Sequence, residues 1–190
     1  MKNRKSAERA SSANEENKMH EKLFLVYVGG DAPGSNIELH DVRFVVGKTI
    51  EDTYPALKQQ WFGDRGSVHM DSYVHVHHVD GYRIDLVKTP SDSSKKLYFV
   101  NFGGYFPGKL AEYHDFTLVV AGSVEEAKSL AKPKVMAVGL AGAEQFHKDD
   151  LLAVDDCLAV DLLDGFHVHC EHDGGQQTLA PDWMGYQPLP

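Results

Sequence analysis

Hydrophobic residues near the start of the chain form first a continuous run and then an alternating one. Residues 23–28 are apolar throughout, a pattern that predicts a strand covered on both faces. Residues 38–46 alternate instead, with Val42, Phe44 and Val46 on one face of a strand. Glycine and proline lie between the two runs and predict a loop. The pattern therefore begins with strand, loop and strand.

The same pattern occurs a second time further along the chain. Residues 22–58 align without a gap with residues 96–132, and 14 of the 37 aligned positions are identical. The match resumes at the Asp-Gly pairs 80–81 and 164–165, so the second copy carries about ten additional residues. An internal repeat of this length indicates two structural units of one kind.

The repeat divides the chain into four parts. Residues 1–22 are polar and mixed in charge, which predicts a disordered arm and not a signal peptide. Copy one takes residues 23–89 and copy two takes residues 96–172, with a short polar join between them. Residues 173–190 are rich in glycine, glutamine and proline, a composition that predicts an irregular C-terminal tail.

Each copy is predicted to be an α+β unit in the order strand, loop, strand, helix, hairpin. A capping-box pattern marks the predicted helix start in both copies, at residues 49–52 and 123–126. The helix of copy one either starts at Thr49 and bends at Pro55, or starts nearer Asp52 so that Pro55 falls in its first turn. One unit alone leaves a sheet face uncovered, so the two tandem units are expected to cover each other about a pseudo-twofold axis.

The hairpin of each copy allows two registers. In copy one, a two-residue turn at 80–81 would mix polar and apolar residues on each face of the hairpin. A three-residue loop at 79–81 pairs His78 with Tyr82 and collects the apolar residues on one face. Because one buried face decides register, the sequence predicts the three-residue loop.

Charge and composition narrow the classes of function. The formal net charge is -9, and no cluster of lysine and arginine runs along the chain, which argues against nucleic-acid binding. No apolar run is long enough to span a membrane. The two cysteines, Cys157 and Cys170, come without a secretion signal, so reduced thiols in the cytoplasm are expected.

A glycine-rich loop followed by Glu-x-His-Asp occurs in both copies. Glu38 and His40 are predicted on the inward face of their strand and Asp41 on the other. One interpretation is a small-molecule or anion site, or a general acid/base pair, because glycine lets a ligand approach backbone N–H groups. The other is structural: the loop shapes a turn while the Glu–His pair satisfies buried backbone groups. The candidate ligand-binding residues of this motif are Gly29, Gly30, Gly34, Glu38, His40, Gly103, Gly104, Gly108, Glu112 and His114.

Histidine pairs at strand spacing form a second candidate constellation. His75 and His77 in copy one, and His167 and His169 in copy two, each place two imidazoles on one strand face. Such a pair can chelate zinc, yet the chain contains no CxxC or HExxH pattern, which weighs against a metal site. No cofactor is otherwise evident from the sequence.

Four segments of copy one stand out together: residues 23–26, the Gly-Gly/Pro-Gly loop, residues 36–46 and residues 51–55. In this combination they resemble the domain-of-unknown-function family 1543. The resemblance implies a bacterial origin and a one- or two-copy architecture, and it supplies no activity. Copy two departs from it, with Leu110 in place of Asn36 and Thr117 in place of Arg43. Asn36 and Arg43 therefore join the candidate ligand-binding residues of copy one.

The sequence leaves the activity, and whether the chain is an enzyme, open. The favoured hypothesis is a noncatalytic protein that binds a small molecule or a partner in a cleft framed by the two Gly-rich loops. The first alternative is a small metal-assisted enzyme that uses the Glu–His pairs or the histidine-rich hairpins. The second is a structural protein that forms a homodimer through open sheet edges.

Overall fold

The computed structural model describes residues 20–90, 92–143 and 154–190. Residues 1–19 of the predicted N-terminal arm lie outside the described residues. The strands in chain order are β1 (Lys22–Gly30), β2 (Leu39–Gly47), β3 (His69–His75), β4 (His78–Val79), β5 (Tyr82–Val87), β6 (Lys96–Gly104), β7 (Tyr113–Ala121), β8 (Val154–Val160), β9 (Leu162–Leu163), β10 (Phe166–His172) and β11 (Trp183–Pro188). Helix α1 (Tyr54–Gln60) follows β2, and helix α2 (Val124–Ala137) follows β7.

Each copy builds an antiparallel sheet with a helix on one face. The sheet of copy one has the order β11-β3-β1-β2, and that of copy two has the order β7-β6-β8. In both copies the first strand is central, as its continuous apolar run predicts, because both of its faces are covered. Phe24 and Val26 pack toward α1, while Leu23 and Leu25 pack toward the other copy. The predicted α+β class with two tandem repeats is confirmed.

The two copies join through their hairpins. Strands β5 and β10 pair antiparallel, and Asp85 lies opposite His169, the residue that aligns with it between the copies. This is the register that a pseudo-twofold relation between the copies requires. A shared hydrophobic core behind the hairpins contains Leu25 and Ile84 of copy one together with Leu118 of copy two. Each copy therefore covers the sheet face that the other would leave open.

The helix starts follow the capping chemistry in the sequence. In copy two, the Ser123 hydroxyl accepts a hydrogen bond from the backbone N–H of Glu126 at 3.2 Å, as a capping residue does. In copy one, a 3₁₀ turn (Glu51–Thr53) precedes α1, so Pro55 lies in the first turn of the α-helix. The later of the two predicted starts is the one observed.

The predicted three-residue hairpin loop is wrong. Val79 pairs with Tyr82 across a two-residue turn, in which Asp80 and Gly81 have φ of 54° and 83°. Positive φ at both central positions matches the twist of the flanking strands, and the pair at 164–165 repeats it. The expected mixing of faces does not arise, because the chain leaves one sheet at the end of β3 and enters another at β4.

The sequence predicts an irregular C-terminal segment, but part of that segment forms a strand. Strand β11 pairs with β3 at the edge of the sheet of copy one. Leu189 is buried in the core of that copy, and the ring of Trp183 stacks on Tyr73 with centroids 6.3 Å apart. The glycine and proline residues around this strand mask its pattern in the sequence. The strand forms because the edge of β3 offers hydrogen-bonding partners for its backbone.

Neither helix of the described residues has the length and apolar character needed to cross a membrane.

Candidate functional site

Gly29, on the central strand of copy one, separates two histidines. It pairs with His40 on β2 and with His69 on β3, and residues directly opposite each other share a sheet face. A Cβ atom at Gly29 would lie 2.6 Å from Nε2 of His69 and 2.9 Å from Nε2 of His40. The glycine therefore leaves the space in which the two imidazoles face each other.

Two carboxylates contact the same two imidazole nitrogens. Oε1 of Glu38 lies 3.3 Å from Nε2 of His69, and Oε2 lies 3.8 Å from Nε2 of His40. The oxygens of Asp71 lie 3.2 Å from Nε2 of His40 and 3.3 Å from Nε2 of His69. Asp71 sits where the register between β1 and β3 shifts, and such a bulge re-aims a side chain. We call these four residues the histidine–carboxylate cluster.

The surroundings of His69 orient its ring toward the cluster. Its side chain is only 2% exposed, and Nδ1 lies 3.3 Å from the carbonyl oxygen of Ser67. A hydrogen bond donated from Nδ1 to that carbonyl leaves Nε2 as the atom with a free lone pair, the arrangement typical of metal-ligating histidines. The Tyr186 ring on β11 packs 4.4 Å from the His69 ring, and Tyr27 stacks on His40 at 5.6 Å.

The spacing of the donor atoms fits a small divalent metal ion. Glu38, His40 and His69 each offer a ligand atom within 4.8 Å of the others, and no other group of three or more histidine, cysteine or acidic side chains does so within residues 20–90, 92–143 and 154–190. A zinc ion with bonds of about 2.0–2.1 Å in a tetrahedron separates its ligand atoms by roughly 3.3–3.4 Å. Three of the four nitrogen–oxygen distances of the cluster, 3.2 Å, 3.3 Å and 3.3 Å, lie close to that value, and the distance from Glu38 to His40 is longer, at 3.8 Å.

Copy two retains only part of this arrangement. His114 lies opposite Gly103, and Oε2 of Glu112 is 3.8 Å from its Nε2, the same separation as in copy one. The hairpin alignment places Ala153 at the position of His69. The aligned position of copy two therefore has no imidazole, and within the part of the chain that the structure describes the three-ligand set is found in copy one.

The glycine-rich loops differ in their roles. Gly34 and Gly108 have φ of 85° and 75°, with open space where a Cβ would lie, so both serve a turn. A Cβ at Gly30 would lie 3.1 Å from the Trp61 ring, so that position is limited by packing. Gly104 pairs with Tyr113 within the sheet of copy two. None of these glycines lines the cleft between the copies that is described next.

A cleft of about 530 Å³ lies between the facing sheets of the two copies. Its lining includes His40, Arg43 and His114 from the candidate residues, and otherwise consists mainly of strand residues. The Arg43 guanidinium is already paired with the Asp41 carboxylate and donates to the carbonyl of Val42 at 2.9 Å. Asn36 is exposed in the loop before β2. The cleft is thus framed by sheet faces.

The histidine pairs of the hairpins lie elsewhere. Nδ1 of His77 is 2.8 Å from Nδ1 of His78, and burial, with a smaller contribution from His77, lowers the pKa of His75 below its usual value. His167 and His169 lie on β10, opposite β5. None of the four predicted metal ligands belongs to the three-ligand group found within the described residues, and their zinc binding stays a prediction.

Sequence reasoning missed His69 and Asp71. Both stand at strand spacing, as Glu38 and His40 do, but nothing in the sequence marks them as partners of that pair. Only the register of β1 with β2 and β3 brings all four to Gly29. The sequence analysis assigned Gly29 to the loop after the first strand, whereas the structure extends β1 to Gly30. A glycine within a strand often marks a close approach of other groups, and this signal was hidden by the predicted end of the strand.

Asp115 supplies a pH-dependent test of packing in copy two. Burial raises the pKa of its carboxyl, so its charged form is disfavoured in the folded protein. Stability is then greatest below the unfolded pKa and decreases as the pH rises through the folded pKa. We expect Asp115→Asn to raise the melting temperature at about pH 7, with the gain shrinking toward about pH 3.

Circular dichroism melts across this pH range provide the measurement. Asp41→Asn is the matched control, because Asp41 is the aligned residue of copy one and forms an ion pair with Arg43. It should show no gain at neutral pH. Equal melting temperatures of Asp115→Asn and the wild type at every pH would contradict the expectation.

Comparison with known proteins identifies a family and similar solved structures. The family model described as Domain of Unknown Function (DUF1543) matches residues 35–86 and 109–168, one region in each copy. The crystal structure of a protein Il1583 from Idiomarina loihiensis is 52% identical, covers 90% of this chain and 99% of that chain, and superposes with a TM-score of 0.71. No curated protein matches the chain.

Proposed function

Since the chain belongs to the DUF1543 family, a domain of unknown function, we propose its function from the site: it binds one divalent metal ion through Glu38, His40 and His69. Zn²⁺ is the ion that this set of two imidazoles and one carboxylate suits best. Three protein ligands leave one position for a donor atom from a small molecule. The protein is then a metal-dependent small-molecule-binding protein.

The observation that supports this proposal is the space above Gly29. Two imidazole nitrogens and a carboxylate converge on it, and a single methyl group would fill it. His40, His69 and Asp71 lie on strands and Glu38 lies just before β2, and a side chain in place of the glycine would push the two imidazoles apart. The orientation of His69 by the Ser67 carbonyl adds a second feature that metal sites use.

Charge balance supports the same proposal. Glu38 and Asp71 bring two negative charges to one pair of imidazole nitrogens, and a dication neutralises them. Asp71 contacts both nitrogens through different oxygens, so it either enters the coordination sphere or lies beside the open position. Glu38 and His40 are 44% and 36% exposed, so solvent and ligands reach the site.

Zinc titration of the metal-free protein tests the proposal. We expect one Zn²⁺ per chain by calorimetry and by native mass spectrometry. His69→Gln and Glu38→Gln should each weaken binding by about 100-fold or more, since even outer-shell changes cost about 10–100-fold. His114→Gln, at the aligned position of copy two, should bind zinc like the wild type.

Three outcomes of this experiment are decisive. Loss of zinc from His114→Gln as well would move the site away from the cluster. Undiminished zinc binding in Glu38→Gln and His69→Gln would exclude it. Absence of any zinc binding in the folded wild type would leave the cluster as a set of ion pairs. The same mass spectra report the subunit count, which tests the homodimer hypothesis.

We further infer a bacterial, cytoplasmic protein, as the family resemblance and the cysteines suggest. Both Cys157 and Cys170 are free thiols. Burial raises the pKa of Cys170 to about 11, so its reactive thiolate form is scarce at neutral pH. Unpaired thiols, of which Cys170 is buried, are compatible with a reducing compartment. Fractionation of the native host tests this, and recovery in a secreted fraction would contradict it.

A further inference from the structure

The two walls of the cleft between the copies differ in chemistry. At aligned positions, copy one has Leu25 and Val42 where copy two has Phe99 and Phe116. Phe99 and Phe116 lie on the cleft, with ring centroids 5.4 Å apart. Copy one also places Tyr27 and Phe44 on the cleft, and copy two also places His114 and Asp156 there. The difference is that copy one provides the histidine–carboxylate cluster, while the aligned position of copy two has no second imidazole. We call Phe99 and Phe116 the aromatic wall.

The aromatic wall leads directly to the cluster. Phe116 stacks on Tyr27 with centroids 6.4 Å apart, and Tyr27 stacks on His40 at 5.6 Å. His40 belongs both to the cluster and to the lining of the cleft. A molecule lying along the rings of copy two would therefore have one end at the metal ligands of copy one.

The size and lining of the cleft suit a small, flat molecule that combines a ring with a polar group. A volume of about 530 Å³ lies within the range of ligand sites, and the lining mixes aromatic and aliphatic side chains with polar and charged ones. Leu158 lines the cleft and is 54% exposed, so part of its apolar surface stays open to solvent. Asn101 adds an amide that can donate or accept a hydrogen bond.

The charged side chains of the lining limit which charged group a ligand of the cleft can carry. Among the residues that the structure describes, no lysine lines the cleft, its arginine, Arg43, is already paired with Asp41, and the Asp156 carboxylate also lines it. The Gly-rich loops, whose backbone N–H groups could hold a phosphate, do not line the cleft. A phosphate-bearing ligand therefore finds little to bind it. A singly charged oxygen donor needs only the open metal position.

We propose that the cleft binds a small aromatic carboxylate, with its ring on Phe116 and its carboxylate on the metal held by Glu38, His40 and His69. The inference rests on the metal site proposed above and adds the class of ligand. Both halves of the duplicated chain are needed, because one copy supplies the metal and the other supplies the ring surface.

Binding of 2-naphthoate to the zinc-loaded protein, followed by calorimetry or by the naphthalene fluorescence, tests the proposal. We expect removal of zinc to weaken binding by about tenfold or more. Phe116→Val, which installs the residue of copy one, should weaken it by about tenfold while leaving zinc affinity unchanged. The neutral 2-naphthamide should bind more weakly to the zinc-loaded wild type and show little dependence on zinc.

Further variants and outcomes keep the two proposals separate. Leu158→Ser changes the exposed mouth of the cleft without touching the shared core, so it serves if Phe116→Val folds poorly. Equal naphthoate affinity in the wild type, the zinc-free protein and both variants, with zinc still bound at the cluster, would overturn the ligand inference alone. Absence of zinc binding would overturn both proposals.

Discussion

Gly29→Ala is expected to abolish tight zinc binding while the protein stays folded. The added methyl group would lie 2.6 Å from Nε2 of His69 and 2.8 Å from Cδ2 of His40, so the two rings must move apart. His69 has little room to move, because its side chain is only 2% exposed. We expect zinc affinity to fall by at least about 100-fold, the upper end for changes around a metal site. Overpacking should also lower stability by about 1–3 kcal/mol.

Gly103→Ala is the matched control for this prediction. Gly103 aligns with Gly29 and lies opposite His114, but copy two has no second imidazole in the position of His69. The variant should keep its zinc affinity even if it loses stability. Calorimetric zinc titration of both variants, with circular dichroism to verify folding, provides the measurement. Wild-type zinc affinity in Gly29→Ala would show that the space above this glycine holds no metal ion.

Removal of residues 183–190 is expected to destabilise copy one strongly. The truncation deletes β11, exposes the edge of β3 and removes Leu189 from the core. Burial of one leucine contributes about 1.5–3 kcal/mol, and Trp183 and the lost strand pairing add to this. Because His69 and Asp71 lie on β3, we expect weaker zinc binding as well. A composition-based interpretation of the tail as irregular would have predicted almost no effect.

Urea unfolding and zinc titration of the truncated chain test this expectation. Met184→Ala is the control, because Met184 lies on the same strand and is 76% exposed. It should change stability by no more than about 0.5 kcal/mol. A truncated chain with the unfolding midpoint of the wild type would show that β11 is dispensable for the sheet.

Duplication explains why one site, and not two, is expected. The aligned Glu–His pairs have the same 3.8 Å separation in both copies, so both copies retain the geometry of this pair. The copies differ at the third ligand and at the aromatic positions of the cleft. In a chain with two copies, the ligand residues of one copy can be kept while the aligned residues of the other copy change.

The sequence by itself determined the repeat, the α+β class, the central apolar strands and the capped helix of copy two. These features depend on local periodicity and on short-range hydrogen bonds, which neighbouring residues specify. It also identified Glu38 and His40 as a pair, because both copies contain the motif.

Only the tertiary structure decided the hairpin turn, the role of the tail and the composition of the cluster. The turn depends on where the chain changes sheets, and β11 depends on the free edge of β3. His69 and Asp71 reach Glu38 and His40 through strand register, which pairs residues far apart in sequence. Periodicity tells which face a residue occupies but not which residue lies opposite it, and that pairing creates the candidate site.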